Sequence, residues 1–344
     1  MSVIASPALP SSPLGLLKQL QQPRVVIALI LLTWLPLTAY VMLAGAISPV
    51  VRPYLLLPAI PAALILYAVA FWSWRESRIA VIGLTLIFFW LIIAVTVPFL
   101  PLVDPDKPIA PFAPIGAIKA NHYFILGADF KGRDMLARNL WGCQRVLVWG
   151  VTATLAAYVV GCMFGLLAGY LGGWWDQVIS FLANILLSFP VMVLFILILN
   201  YLGASGFNIV IAVTFASAPA IMRIVRGLTF DTKSRDYIFA AQTRGEHPLR
   251  IMLYELLPNA RGPIIVDACL RLGYTTVAIT TLTFLGLGLQ PPDPDWGLMI
   301  KEAANVAKSP QFAYMLLIPA LSVSSLILGF NLIADGLREM SLRD

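Results

Sequence analysis

Apolar residues fall along this chain in long runs, and polar positions gather in the gaps between them. A helix needs about 20 mostly apolar residues to cross a bilayer. Runs of that order cover residues 25–47, 53–73, 79–100, 143–170, 173–202, 209–226, 262–288 and 312–334. The pattern predicts eight spans in an all-α polytopic bundle, with both termini on one side. Three gaps are more than turns: a Pro- and Ser-rich segment at 1–24, a proline-rich stretch at 101–142, and a charged stretch after 226. Ala44-Gly45-Ala46 looks like a signal cleavage site. The run before it exceeds a signal core of about 7–15 residues, so it reads as a retained helix.

Charge sets the orientation. Arg223, Arg226, Lys233, Arg235, Arg244, Arg250 and Arg261 lie in or beside the last gap, and cytoplasmic loops collect Lys and Arg. That places the gap and both termini in the cytoplasm and 101–142 outside. The basic residues at Lys131, Arg133 and Arg138 run against the rule; Asp104, Asp106, Asp129 and Asp134 offset them only in net charge. Of 344 residues 60% are hydrophobic and 12% charged, whereas soluble domains carry about 25% charged, so the chain's surroundings are a lipid bilayer. Basic loops account for the net charge of +6 without any nucleic acid.

Little in the chain suggests chemistry of its own. Cys143, Cys162 and Cys269 form no CxxC, and His122 and His247 are not grouped with carboxylates, so no metal or cofactor site is expected. No GxxxxGK[ST] phosphate loop and no catalytic constellation occur. One charged pair falls inside an apolar run: Asp267 and Arg271, spaced i,i+4 on one helix face. Such a pair is either a local structural contact or part of a translocation pathway. Gly161, Gly165 and Gly169 let two helix backbones approach closely.

Three stretches carry more specific signals. Residues 235–258 read as two short helices, one running to Gly245 and a second from Pro248 to near Pro258. Ile251, Met252, Leu256 and Leu257 give the second helix an apolar face that calls for a partner. Residues 126–138 read as a Gly-punctuated turn followed by an interfacial amphipathic helix. Residues 283–297 read as a helix end stopped by prolines and an outward loop.

Together these stretches resemble the permease subunits of ABC importers of the dipeptide, oligopeptide and nickel group. Ala240-Ala241 with Gly245, and Pro258 thirteen positions on, match that family's Ala-Ala-x-x-x-Gly signature, with Phe239 where an acidic residue often stands. Leu126 to Asp134 resembles its Leu-Gly-Thr-Asp-x-x-Gly-Arg-Asp segment, with Ala128 for Thr. Thr283 to Gly297 resembles Ser-Phe-Leu-Gly-Leu-Gly … Pro-Pro-x-Pro-Ser-Trp-Gly, with Asp295 for Ser. Phe189-Pro190 and the closing Asp335-Gly336-Leu337-Arg338 are family landmarks. Relatives commonly carry Arg and Asp at the positions of Phe181 and Asn184; both charges are absent here, as expected of two groups that pair in a low dielectric.

The resemblance implies a first family helix at 79–100, an external segment at 101–142 and a core at 143–336, with the two helices of 25–73 as an addition. Asp236, Ala240, Ala241, Gly245, Leu257 and Pro258 would belong to the helix pair that docks on the ATPase. The loop with Asp293, Asp295 and Trp296 would face a binding protein or the emerging substrate, and Asp293, Asp295 and Glu302 either attract a cationic group there or belong to a solvated loop. The implied partners are a second homologous permease, two cytoplasmic ATP-binding subunits and an extracytoplasmic substrate-binding protein. The implied place is a bacterial inner membrane, the implied cargo a peptide, with nickel chelates or another small solute as the alternative. An ion-coupled secondary transporter would instead show broken helices or midplane carboxylates, and only Asp267 approaches that description.

Overall fold

The computed structural model of the protein describes residues 23–42, 56, 58–74, 77–290 and 293–341. Nearly all of segment 1–24, the site at 44–46, Arg75, Pro291 and Pro292 lie outside the described residues. Helices α1 (Pro23–Met42), α2 (Ala59–Trp74) and α3 (Arg78–Thr96) come first. An antiparallel hairpin, β1 (Ala117–Lys119) against β2 (His122–Phe124), precedes α4 (Met135–Leu171). Then follow α5 (Gly173–Ser188), α6 (Val191–Leu202), α7 (Gly206–Lys233), α8 (Asp236–Thr243) and α9 (Pro248–Arg250). The chain closes with α10 (Arg261–Leu285), α11 (Trp296–Ala303) and α12 (Tyr314–Ser341). The fold is an all-α membrane bundle.

α4 is its column. Asp134 starts it, accepting the Ala137 N–H at 2.8 Å, and Gly172 ends it with φ +66°. α7 lies along one side, where Gly161, Gly165 and Gly169 meet Ile221, Val225 and Thr229 in turn. A Cβ at those glycines would sit 2.6 to 2.7 Å from these side chains, so nothing larger fits. α10 lies on another side, with Thr154 hydrogen-bonded to Thr275 at 3.1 Å. α3 and α12 pair closely through Gly83 and Gly336. The two additional helices are not detached from this subunit: Leu37 and Tyr40 of α1 are buried in the main core, and the Tyr40 ring stacks on Trp141.

Four differences from the hydropathy reading have physical causes. α4 begins at Met135 rather than near 143, so no separate interfacial helix exists after the 126–134 turn. The polar residues of its first turns are satisfied inside the protein: Asn139 bonds Ser322 at 3.0 Å and Gln144 bonds the Ala94 carbonyl at 2.9 Å. The run 173–202 is not one helix. It breaks at Phe189-Pro190, where both residues are extended and α5 and α6 meet at 91°. Pro258 does not stop the second coupling helix; it sits within a helical turn, Leu257–Asn259. Among the described residues five helices are long and apolar enough to cross a bilayer, or six if the bent α5–α6 pair is one span, and α2 has only 16 residues.

Candidate functional site

α7 runs past the apolar zone to Lys233, and the backbone turns extended at Arg235. α8 carries Asp236 in its first turn, where a negative charge suits the helix dipole. It closes through Gly245, whose φ of +73° allows the Glu246 N–H to reach back to the Ala241 carbonyl at 3.2 Å. His247 opens the second helix, accepting the Leu249 N–H at Nδ1, and Pro248 fills the first position. From Ile251 to Leu256 the turn widens to a π-helix, with Leu257 N–H bonded to the Met252 carbonyl. The wide turn ends just before Pro258, which has no N–H to offer.

This segment has two faces. Ile238, Ala241, Ile251, Met252 and Leu256 are buried against Ala157, Leu166, Ile221 and Val225 of α4 and α7. Lys233 Nζ donates to the Tyr170 carbonyl at 2.5 Å, and Gln242 bonds the Tyr170 hydroxyl at 3.3 Å. The apolar face at 251, 252 and 256, expected to await a partner, is therefore covered by the chain's own bundle. The open face is a different one: Phe239, Leu249, Leu253 and Tyr254, the last 72% exposed. Around Leu249, Leu253 and Tyr254, the residues Glu246, His247, Arg250 and Glu255 shape an open depression of about 660 Å³. The expected coupling residues divide accordingly. Ala241 points inward, Ala240 and Asp236 outward, Gly245 makes the exposed turn, Leu257 is half-buried and Pro258 exposed. The i,i+4 pair Leu249 and Leu253 was visible in the sequence as a second apolar stripe opposite the first.

Asp267 and Arg271 form an ion pair at 2.7 Å. Tyr158 of α4 donates its hydroxyl to the same carboxylate oxygen at 2.5 Å, so the pair also ties α10 to α4. Neighbouring Ala268 and Ile264 pack on the cluster that holds α8 and the π-turn.

The end of the bundle away from segment 235–258, the outer one on the positive-inside reading, carries the other candidate residues. Asp129 accepts the backbone N–H groups of Lys131 and Arg133, each at 2.9 Å, and the Arg133 guanidinium at 2.6 Å. Arg133 also bonds Glu302 at 2.5 Å, Lys131 reaches Glu302 at 2.7 Å, and Arg138 pairs with Asp106 at 2.9 Å. Burial pushes the Glu302 carboxyl up, but Lys131, Arg133 and Arg138 outweigh it and hold the group below the usual carboxylate range. Arg145 pairs with Asp293 at 2.8 Å. The basic residues that conflicted with the positive-inside rule are thus matched by carboxylates.

Asp293, Asp295 and Glu302, the candidates for attracting a cationic group, each have partners within the chain. Asp293 and Glu302 are paired, and Asp295 is fully buried as the cap of α11, accepting Gly297 and Leu298 N–H at 2.8 and 3.1 Å. Burial pushes the Asp295 carboxyl up to about 6 despite those donors. Trp296 is likewise a core residue, its Nε1 donating to the Asn139 carbonyl at 2.9 Å and its ring edge-on to Trp90.

At the positions where two charges are absent, Phe181 is exposed and Asn184 accepts a hydrogen bond from Arg223 Nη2 at 2.9 Å. One turn nearer the coupling segment, Arg226 is paired with Asp176. Among the described residues no group of three or more His, Cys, Asp or Glu is placed to hold a metal.

Residues 161–341 match the family model described as "Binding-protein-dependent transport system inner membrane component". The chain is 35% identical over 270 residues to a dipeptide transport system permease protein of Alkalihalophilus pseudofirmus, covering 78% of this chain and 87% of the relative. It is 32% identical over 273 residues to the dipeptide transport system permease protein of Haemophilus influenzae, covering 78% and 92%. A glutathione transport system permease protein of Pectobacterium atrosepticum is 37% identical over 215 residues, covering 62% of this chain and 70% of that one.

Proposed function

This chain belongs to the family of binding-protein-dependent transport system inner membrane components, and from that premise we propose that it imports peptides as one half of a permease pair. It is a membrane-spanning permease subunit of an ATP-driven ABC importer. The dipeptide and glutathione permeases among its relatives support a short-peptide cargo. A second homologous permease completes the pathway, a binding protein delivers substrate outside, and two ATP-binding subunits work at the cytoplasmic end, where both termini lie. Hydrolysis belongs to those subunits, and this chain supplies none of the catalysis.

The observation that carries the mechanism is the two-faced segment 235–258. Its inner face is packed into α4 and α7, so a push on the segment moves those helices as well. Its outer face offers Leu249, Leu253 and Tyr254 around a depression, an apolar centre with a charged rim suited to a protein groove. The Asp267–Arg271 pair is then a local brace beside the coupling cluster, held by Tyr158.

The test replaces the outer face only. Tyr254→Asp with Leu253→Asp is expected to leave membrane insertion and thermal melting unchanged while abolishing co-purification of the ATP-binding subunits and uptake. Arg250→Ala, on the rim, should weaken recovery far less. Wild-type recovery of the ATP-binding subunits by the double variant would reject this face as the coupling surface.

A further inference from the structure

Among the described residues Arg223, inside the apolar run 209–226 near its cytoplasmic end, stands without a carboxylate. Arg223 lies ten residues before the end of α7 at Lys233, about 15 Å along the helix from the coupling end. Its partner Asn184 lies a similar distance, about 16 Å, beyond the start of α5 at Gly173. Both side chains are exposed, and the hydrogen bond holds the guanidinium at that depth instead of letting it turn toward the aqueous end. Among the described residues Arg223 has no ion pair. Arg226, one turn nearer the end, has its own in Asp176.

A charged group at this depth does not face lipid chains; it faces water or a polar partner. A second observation on the same side of α5 points to water. Gln177, Asn184 and Ser188 are exposed at helical spacing, with Phe181 between them. This line runs straight into the break at Phe189-Pro190, which is also exposed. Non-helical backbone at membrane depth is tolerated only inside protein or beside a water-filled cavity. The first N–H groups of α6, which no side chain caps, open at the same break.

The donors at this place are matched to one kind of ligand. Arg223 spends Nη2 on the Asn184 oxygen, leaving the other N–H groups of its planar fork unbonded. Asn184, its oxygen accepting from Arg223, keeps its NH₂ group free to donate. The arrangement offers several free donors and one positive charge.

We propose that Arg223 and Asn184 form a carboxylate subsite in the translocation pathway, which takes the C-terminal carboxylate of a peptide as it passes. The assignment deepens the peptide-permease reading and rests on it. Because a neutral amide rather than an acid holds the arginine, the positive charge stays available to the substrate. The contact is a transient one: it lowers the barrier for a charged terminus and releases it to water on the cytoplasmic side.

The test uses the complete importer with its binding protein, reconstituted in vesicles, and measures uptake of a labelled dipeptide and of the same dipeptide as its C-terminal amide. The binding-protein step is common to every variant, so comparing variants isolates the permease. Arg223→Gln is expected to lower free-acid uptake about tenfold, the scale of one lost charge-assisted hydrogen bond, with little change for the amide. Arg223→Lys should keep part of the activity. Asn184→Asp is the decisive variant. It strengthens the bond to Arg223 and so preserves any structural role, yet it fills the site with a carboxylate and should depress free-acid uptake as Arg223→Gln does. Wild-type uptake by Asn184→Asp, or an equal fall for acid and amide, would overturn the subsite. So would loss of the second permease on purifying Arg223→Gln while Asn184→Asp assembles normally, which would make Arg223 an intersubunit contact. If the wild-type importer moves neither peptide, the peptide reading itself fails and the subsite fails with it.

Discussion

At the end of the bundle away from segment 235–258, the outer one on the positive-inside reading, Asp129, Arg133 and Arg138 are buried and Glu302 half-buried in one network, and their charges are answered within the chain. At the inner end the segment 235–258 is anchored on one side and open on the other. Both ends carry segments that resemble family motifs, yet they are built on opposite terms. The outer motif closes a structure around itself, where a missing partner leaves an uncompensated buried charge. The inner motif leaves part of its apolar surface uncovered within the chain, with Phe239, Leu249, Leu253 and Tyr254 exposed. Motif strength alone does not separate architecture from contact; burial and satisfaction do.

The sharpest way to break this contrast is at Arg133. Arg133→Met strands the carboxylates of Asp129 and Glu302 in a buried setting and is expected to cost about 3–5 kcal/mol. Thermal melting of the purified permease in detergent reads it, and an unchanged midpoint would mean the outer network is not structural. A smaller effect is expected where the inner segment meets the bundle. Ala241→Trp forces a large ring between α8 and α4 and should cost about 1–3 kcal/mol, while Ala240→Trp, one position along and facing out, should leave melting unchanged. Equal effects at the two alanines would erase the two-faced description.

The smallest expected effect is a pH dependence at Asp295. Its folded-state pKa, about 6, lies above the ordinary carboxylate value, so the folded protein binds the proton more tightly than the unfolded chain. Stability should therefore rise on acidification through that range and fall again as the pH climbs past it, by about 1 kcal/mol between roughly pH 7.5 and pH 5. Asparagine caps a helix as well as aspartate without a charge to bury. Asp295→Asn should thus melt higher than wild type near neutral pH, and the gap should shrink in acid. A gap that does not change with pH would show that Asp295 does not titrate in the folded state.

How much of this was legible in the sequence follows from how local each signal is. Gly161, Gly165 and Gly169 declared a helix contact because the spacing itself is the contact. Gly245 declared its turn because few residues besides glycine accept its left-handed backbone. The outer network was not legible: Arg133 and Glu302 stand 169 residues apart, and only the fold brings them together. Without that pairing Asp293, Asp295 and Glu302 looked like free acids. The stripe of Ile251, Met252 and Leu256 was legible as one apolar face, but not what covers it, because its contacts with Ala157, Leu166, Ile221 and Val225 are made only by the fold. Prolines were ambiguous too. Pro190 breaks its span and brings in a broken helix that had been expected only of an ion-coupled transporter, whereas Pro219 and Pro319 sit inside unbroken helices.

The three glycines of α4 have a mechanical consequence. Each is a notch that receives a side chain of α7, at 221, 225 and 229, with no room for a methyl group between them. A toothed contact of this kind does not glide: fractional sliding would drive branched side chains into backbone, and a full step would have to clear all three teeth at once. α4 and α7 therefore behave as one stiff beam, packed at one end against segment 235–258. Any bending of the bundle then falls on the joints around the beam, such as the right-angled elbow between α5 and α6.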